Sequence, residues 1–351
     1  MSKSLFWNNK RIFLTGHTGF KGAWLSFILQ SFGAKVTGYS LEPPTLPNLF
    51  SLINLSEKIN SVIGDIRDLS NLQKAFNDCK PDIVFHLAAQ PIVLEGYKNP
   101  VTTYGTNVMG TVNILECIRQ SDSVKSFINV TTDKVYHNNE WCYGYRETDT
   151  LDGIDPYSNS KSCSELVTAC YQRSFFSDSD SLAISTVRAG NVIGGGDFAD
   201  FRIIPDCIRA ALANKVIEVR NPNSVRPYQH VLEPLFAYMM IAETQYNDKK
   251  FAGSYNVGPN EDDCITTGEL VTTFCDAWGD GISWKSLQMD LPREANFLKL
   301  DCSKIKSVFD WKPRWNIKTA IEKTVEWTKV YQNKADIVQC MERQIDSFVE
   351  V

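Results

Sequence analysis

No apolar run in this chain approaches the roughly 20 residues that span a bilayer as a helix, so no membrane partner is expected. The opening stretch MSKSLFWNNK carries charge but lacks the apolar centre of a secretory signal, and a cytoplasmic location is the expectation. A basic excess is missing too. Lys and Arg number 36 against 41 Asp and Glu, for a net charge of -5, and a general nucleic-acid binder needs the opposite balance. No nucleic-acid partner is expected. A small anion remains within reach, because a few Arg and backbone N–H groups suffice to hold one. Histidine is scarce, at four residues, and the ten cysteines fall into no C-x-x-C or Cys/His ligand spacing. Unpaired thiols in a reducing compartment, and no metal, are expected. Internal repeats and low-complexity linkers are absent.

What is present is an alternation of short apolar runs and longer helical patterns. Arg11 to Thr15, Ala34 to Ser40, Asn60 to Gly64, Ile83 to Leu87, Ser126 to Thr131 and Leu182 to Arg188 read as six strands. The segments between most of them read as helices, with 101–120 as one continuous helix. Such alternation implies right-handed βαβ crossovers and a parallel sheet. The fold class is therefore α/β, a doubly wound Rossmann sheet with a smaller α/β substrate lobe. A length of 351 residues accommodates both. Residues 1–188 mainly form the dinucleotide domain and 189–351 mainly the lobe, with segments around 230–260 returning to the main domain.

Gly16, Gly19 and Gly22 form G-x-x-G-x-x-G between the first strand and a helix, with Thr18 and Phe20 inside the loop. Glycines there allow a tight turn, backbone approach to a pyrophosphate and close helix–strand packing, and the helix N-terminus attracts the phosphates. Asp65 at the third strand tip is placed to accept from an adenine amino group, with Ile66 against the ring. Asp68 reads as the cap of the next helix. Ala88 and Ala89 leave room for a flat ligand at the fourth tip. Asn107, on an apolar stretch, is expected to bond backbone near the active-site strand. The second strand ends in Ser40-Leu41-Glu42, so its acid is displaced, and Lys21 in the loop is a candidate for a 2′-phosphate.

The stretch from Ser126 to Lys161 carries the chemistry. An apolar strand ends in Thr131-Thr132-Asp133-Lys134, and Asp155-Pro156 opens a helix with Tyr157 and Lys161. A Tyr and a Lys at i and i+4 share one helix face and, beside a nicotinamide, can move a proton along with a hydride. A second acid–base pair, Asp133 and Lys134, sits at the strand tip.

The phrases GHTGFKG, GDIRD, HLAAQP, TNVMGT, TTDK, DPYSNSK, RAGNVIGGGDF, RPYQHVLEPL and LKLDCSK together resemble the extended short-chain dehydrogenase/reductases that act on nucleotide sugars. The nearer resemblance is to the CDP-D-glucose 4,6-dehydratases, a hydro-lyase family, from Phe6 to about Trp315. That resemblance implies NAD as cofactor, CDP-glucose as substrate and CDP-4-keto-6-deoxyglucose as product. It places the reaction on the way to 3,6-dideoxy sugars of bacterial surface polysaccharides. A homodimer or homotetramer is implied, through the helices after the fourth and fifth strands.

By the same resemblance, Tyr157 is the base for the 4-hydroxyl. Lys161 and the nicotinamide charge are expected to lower it from its ordinary pKa of about 10, and Lys161 also to hold the nicotinamide ribose. Thr132 positions the same hydroxyl. Asp133 protonates the departing 6-hydroxyl and Lys134 takes the C5 proton; each must be neutral when it acts. Asn191, Arg202, Arg226 and Arg293 are candidates for the substrate diphosphate and its ribose. Where the family commonly reads Gln-Pro-x-Val-Arg, this chain has Leu94. A nucleotide-sugar 4-epimerase and a 4,6-dehydratase of another nucleotide sugar are the alternative readings. The Asp133-Lys134 pair argues against the epimerase, which needs no acid and base at C5 and C6.

Overall fold

The computed structural model describes residues 5–177, 182–287 and 297–350. Seven strands form its central sheet: β1 (Arg11–Thr15), β2 (Lys35–Ser40), β3 (Asn60–Ile63), β4 (Ile83–His86), β5 (Ser126–Val130), β6 (Ala183–Ala189) and β7 (Ser254–Val257). Their spatial order is β7-β6-β5-β4-β1-β2-β3, and every pairing is parallel. The order reverses at β1, where the sequence steps from β3 back across to β4. Ligands bind outside the carboxyl ends of strands at such a switch point.

The inner strands β1, β4, β5 and β6 are buried on both faces because helices cover both. Alternation by two sends Ile12, Leu14, Phe85, Ile128 and Val130 to one core and Phe13, Val84, Phe127 and Ile184 to the other. Helix α1 (Phe20–Ser31) packs on the first face. Helices α2 (Leu69–Cys79) and α3 (Gly110–Arg119) cover the second, with α4 (Pro156–Phe175) beside them. Asp68 caps α2, accepting from the N–H of Asn71 at 3.1 Å.

The helix expected over 101–120 is broken. A short helix at Pro100–Tyr104 runs into a π-helical turn at Gly105–Met109 before α3 begins. The wider turn carries Asn107, whose side chain accepts from the N–H of Gln90 at 2.8 Å. It donates to the carbonyl of Gln90 at 3.1 Å and to Ser160 Oγ at 2.8 Å. Turns of this kind recur near functional sites; this one ties the β4 tip to α4.

After β6 the chain builds a second core around Ile204, Cys207, Ile208, Ile217, Tyr228, Leu270, Phe274 and Trp278. Helix α5 (Leu232–Asn247) returns to the main core, and β7 extends the sheet beside β6. The tail forms two helices, α6 (Ile317–Gln332) and α7 (Ile337–Glu350). Helix α6 gives Trp327 to the main core and Ile321 and Val325 to the second, so it clamps the two together. All ten cysteines are free. Among the described residues no helix is long and apolar enough to cross a membrane.

Candidate active site

Asp155 sets the start of α4. Its carboxylate accepts from the N–H of Tyr157 at 2.9 Å and of Ser158 at 3.0 Å, while Pro156 occupies the first position, where no N–H is needed. Gly153 lets the incoming chain pass; a Cβ there would lie 2.3 Å from the carbonyl carbon of Ser158. The cap fixes the first turn, and Tyr157 and Lys161 both face inward and are buried. Lys161 Nζ donates to the carbonyl of Val130 at 3.0 Å. Burial lowers its pKa to about 8, against the pull of Glu165. The lowering of Tyr157 expected from Lys161 is not seen in the protein alone. Burial pushes its pKa up to about 12, outweighing a hydrogen bond with Thr132, because Lys161 is aimed at a carbonyl and not at the phenol.

Beyond β5, the Thr132 hydroxyl donates to Asp133 Oδ1 at 3.0 Å. Lys134 Nζ donates to that same oxygen at 2.9 Å and to Asn191 Oδ1 at 3.1 Å. Asp133 is fully buried and its Oδ2 has no hydrogen-bond partner. Tyr157, Thr132, Asp133, Lys134 and Asn191 thus form one connected row. Asn191, read as a phosphate contact, has its carboxamide oxygen engaged by Lys134. Arg202 is paired with Asp197 at 2.9 Å, and its charge acts on both Tyr157 and Lys21. Arg226 is buried and donates to the carbonyl of Val225 at 2.9 Å. Arg293 lies outside the described residues.

The glycine loop is tight. Gly16 has φ 84°, and a Cβ on it would sit 2.8 Å from the amide nitrogen of Ala88. A Cβ on Gly22 would meet the carbonyl oxygen of Gly16 at 2.0 Å. Helix α1 starts at Gly19 with no side-chain cap and no acid in its first turn. Its N–H groups and partial positive charge are left for an anion, as a dinucleotide pyrophosphate requires. Thr18 Oγ1 is tied to Ser40 Oγ and to the carbonyl of Leu41, both at 2.8 Å. Phe20 packs on the main core and Ile66 on the other. Ala88 and Ala89 are half-buried at the β4 tip. Asp65 pairs with Arg67 at 2.5 Å, which holds its carboxyl below the usual range.

Lys21 corrects the sequence reading. It points inward, donating to the hydroxyl of Tyr238 at 3.0 Å, and burial lowers its pKa to about 7. It offers nothing to a 2′-phosphate.

One set of residues escaped the sequence reading. Glu165, one turn beyond Lys161, accepts from Thr131 Oγ1 at 2.5 Å and Thr186 Oγ1 at 2.6 Å, and is paired with Arg188 at 2.9 Å. Arg188 also donates to the hydroxyl of Tyr136 at 2.8 Å, which donates to Asn256 Oδ1 at 2.7 Å. The available signal was the spacing of Glu165, four residues after Lys161 and eight after Tyr157, on the inward face of the same helix.

A parallel sheet with an open helix N-terminus at its switch point, and a buried Tyr–Lys pair beside it, defines a nicotinamide-dependent enzyme of the extended short-chain dehydrogenase/reductase type. The family model described as GDP-mannose 4,6 dehydratase matches residues 13–324, and the chain belongs to this family of nucleotide-sugar dehydratases. It is 45% identical over 349 residues to the CDP-glucose 4,6-dehydratase of Salmonella typhimurium, covering 98% of this chain and 97% of that protein. Among solved structures, the UDP-glucose 4-epimerase of Stenotrophomonas maltophila with bound NAD superposes with a TM-score of 0.81 at 20% identity, covering 93% of this chain and 100% of the other. The dTDP-glucose 4,6-dehydratase of Streptomyces venezuelae, also with NAD, gives 0.78 at 22% identity, covering 93% and 99%. At those identities the superpositions speak for the fold.

Proposed function

We infer that this chain converts CDP-glucose to CDP-4-keto-6-deoxyglucose in an NAD-dependent 4,6-dehydration. The observation that carries the reading is the Asp133–Lys134 pair joined through Thr132 to Tyr157, in a chain so similar along its length to a CDP-glucose 4,6-dehydratase. NAD, when bound, accepts a hydride from C4 of the sugar and returns one to C6. The turn of Gly16, Gly19 and Gly22 and the open start of α1 would hold its pyrophosphate, with Thr18 and Phe20 shaping the loop. Asp65 and Ile66 would meet the adenine, Ala88 and Ala89 would flank the dinucleotide, and Lys161 would hold the nicotinamide ribose.

The remaining steps belong to the chain's own side chains. Tyr157 removes the 4-hydroxyl proton, with Thr132 positioning that hydroxyl. A bound nicotinamide would supply a positive charge that opposes the effect of burial on Tyr157. The 4-keto group acidifies C5–H, Lys134 takes the C5 proton, and Asp133 protonates the departing 6-hydroxyl. Arg202, Arg226 and Arg293 are assigned to the diphosphate, joined by the amide nitrogen of Asn191. The division into a dinucleotide domain over 1–188 and a sugar-binding lobe over 189–351 is part of the same reading.

Leu166 and Phe175 on α4, and Val101 and Met109 in the segment leading into α3, are exposed apolar residues. They support a homodimer or homotetramer through these helices. A cytoplasmic location fits a nucleotide-sugar substrate. The test is to incubate the protein separately with CDP-, UDP-, GDP- and dTDP-glucose and to read the 4-keto product by its absorbance in strong base. The CDP sugar should give the chromophore most rapidly. Its absence with CDP-glucose would remove the dehydratase reading, and an isomerised sugar instead would establish an epimerase.

A further inference from the structure

The proposed dehydration needs a neutral carboxylic acid and a neutral amine together, while the structure shows two neighbours that attract each other as ions. Lys134 Nζ lies 2.9 Å from Asp133 Oδ1. The carboxylate is fully buried and the lysine side chain is 28% exposed, so a molecule in the crevice can reach the amine. The carboxamide oxygen of Asn191 holds the same ammonium at 3.1 Å. Asp133 Oδ1 takes hydrogen bonds from both Thr132 and Lys134. Oδ2 is buried without a partner and faces Gly190, where a Cβ would sit 3.3 Å from it. Oδ1 is thus placed to receive a proton from Lys134, and Oδ2 has no competing hydrogen bond.

We propose that the Asp133–Lys134 pair primes itself: a single proton passes from Lys134 Nζ to Asp133 when the substrate covers the pair, producing the acid and the base in one step. This rests on the dehydratase reading and specifies how its acid and base arise. One N–H bond breaks and one O–H bond forms, and no electrons leave the pair. The amine lone pair on Lys134 then takes the C5 proton, and the C5–H electrons form the C5–C6 double bond. The proton on Asp133 leaves with the C6 oxygen as water. Both side chains are back in their charged forms after elimination, so no solvent proton is required to prepare it.

The driving force is desolvation. In water the two ions are the favoured form, but removing an ion from water is costly even after the protein relaxes, and a desolvated charge neutralises instead of remaining buried. Binding of the sugar, which expels water from the exposed side of Lys134, therefore switches the pair toward its reactive form. A glutamate at position 134 would have no proton to give to Asp133 at neutral pH.

The experiment uses the NAD-loaded protein and its 4-keto product in D2O, reading exchange of the C5 hydrogen by NMR. This step needs the base alone and no net turnover. In the wild type the exchange rate should be flat from about pH 6 to about pH 9, because the proton of Lys134 moves to Asp133 and not to solvent. In Asp133→Asn that acceptor is gone, and exchange should rise about tenfold per pH unit across the same range. Asp133→Ser guards against a folding defect in the first variant and should give the same slope. A wild-type rate that climbs tenfold per unit would overturn the proposal, as would a flat profile in both variants. If wild-type protein makes no 4-keto product from CDP-glucose at all, the dehydratase reading itself fails, which is a different result from either.

Discussion

At the scale of single residues, the active site divides into groups that differ in how burial affects them. Lys161 is fully enclosed and its pKa falls from 10.5 to about 8. Between those values the unfolded chain holds a proton that the folded protein has released, so stability rises with pH across that window. Lys161→Met should therefore be more thermostable than the wild type at pH 7, and the gap in Tm should shrink as the pH is raised toward 10.5. A variant less stable than the wild type at pH 7 would contradict this. Lys134 is different, since it lies at the edge of the crevice. Lys134→Ala should still oxidise C4, seen as reduced nicotinamide absorbance that builds up with CDP-glucose. Formation of the 4-keto-6-deoxy product should fall by roughly 10²- to 10⁴-fold. Unchanged turnover would remove Lys134 as the base.

At the scale of elements, two carboxylates hold α4 in place, and magnitudes separate them. Asp155 caps the helix, and Asp155→Ala should cost about 1 kcal/mol. Glu165 joins three elements: it bonds Thr131 after β5, Thr186 and Arg188 in β6, and belongs to α4 itself. Glu165→Ala would leave Arg188 buried without its counter-ion, which costs about 3–5 kcal/mol. Urea denaturation of the two variants should show that order; equal losses would mean that the ion pair is solvated. The π-helical turn at Gly105–Met109 belongs to the same scale. Composition around Asn107 looks helical, and only the need to satisfy a buried amide shows why the helix widens there.

At the scale of the whole molecule, the small lobe is tied to the sheet through α5 and α6. Glu233 on α5 is buried, and its Oε1 accepts from the N–H of Arg314 at 2.8 Å and of Trp315 at 2.7 Å. Burial pushes its pKa up from 4.5 to about 7. A raised folded pKa contributes stability below the unfolded value and loses it as pH climbs through the folded one. Wild type should therefore lose stability relative to Glu233→Gln between pH 4.5 and 7, measured by denaturant midpoints. Three buried histidines act in the opposite direction. His17 is held neutral down to about pH 4, and His86 and His230 to about pH 3. Their contribution is lost as pH falls from 6.5 through those values, so the acid limb of the stability curve should be steep.

The sequence by itself determined the parallel sheet, because strands covered on both faces must be apolar throughout and those runs are visible in one dimension. It also determined the glycine turn and the Tyr157–Lys161 face, since both follow from local spacing. Tertiary structure alone decided where charges meet. Lys21 donates to Tyr238, the carboxamide oxygen of Asn191 accepts from Lys134, and Glu165 pairs with Arg188 across 23 residues of chain. Such pairings depend on which strand tips the sheet brings together, and a buried ion or amide takes whatever partner the fold supplies. Asp133 and Lys134, adjacent in sequence, were legible as chemistry from the start; their single shared oxygen contact, and the burial that gives it meaning, became visible only in three dimensions.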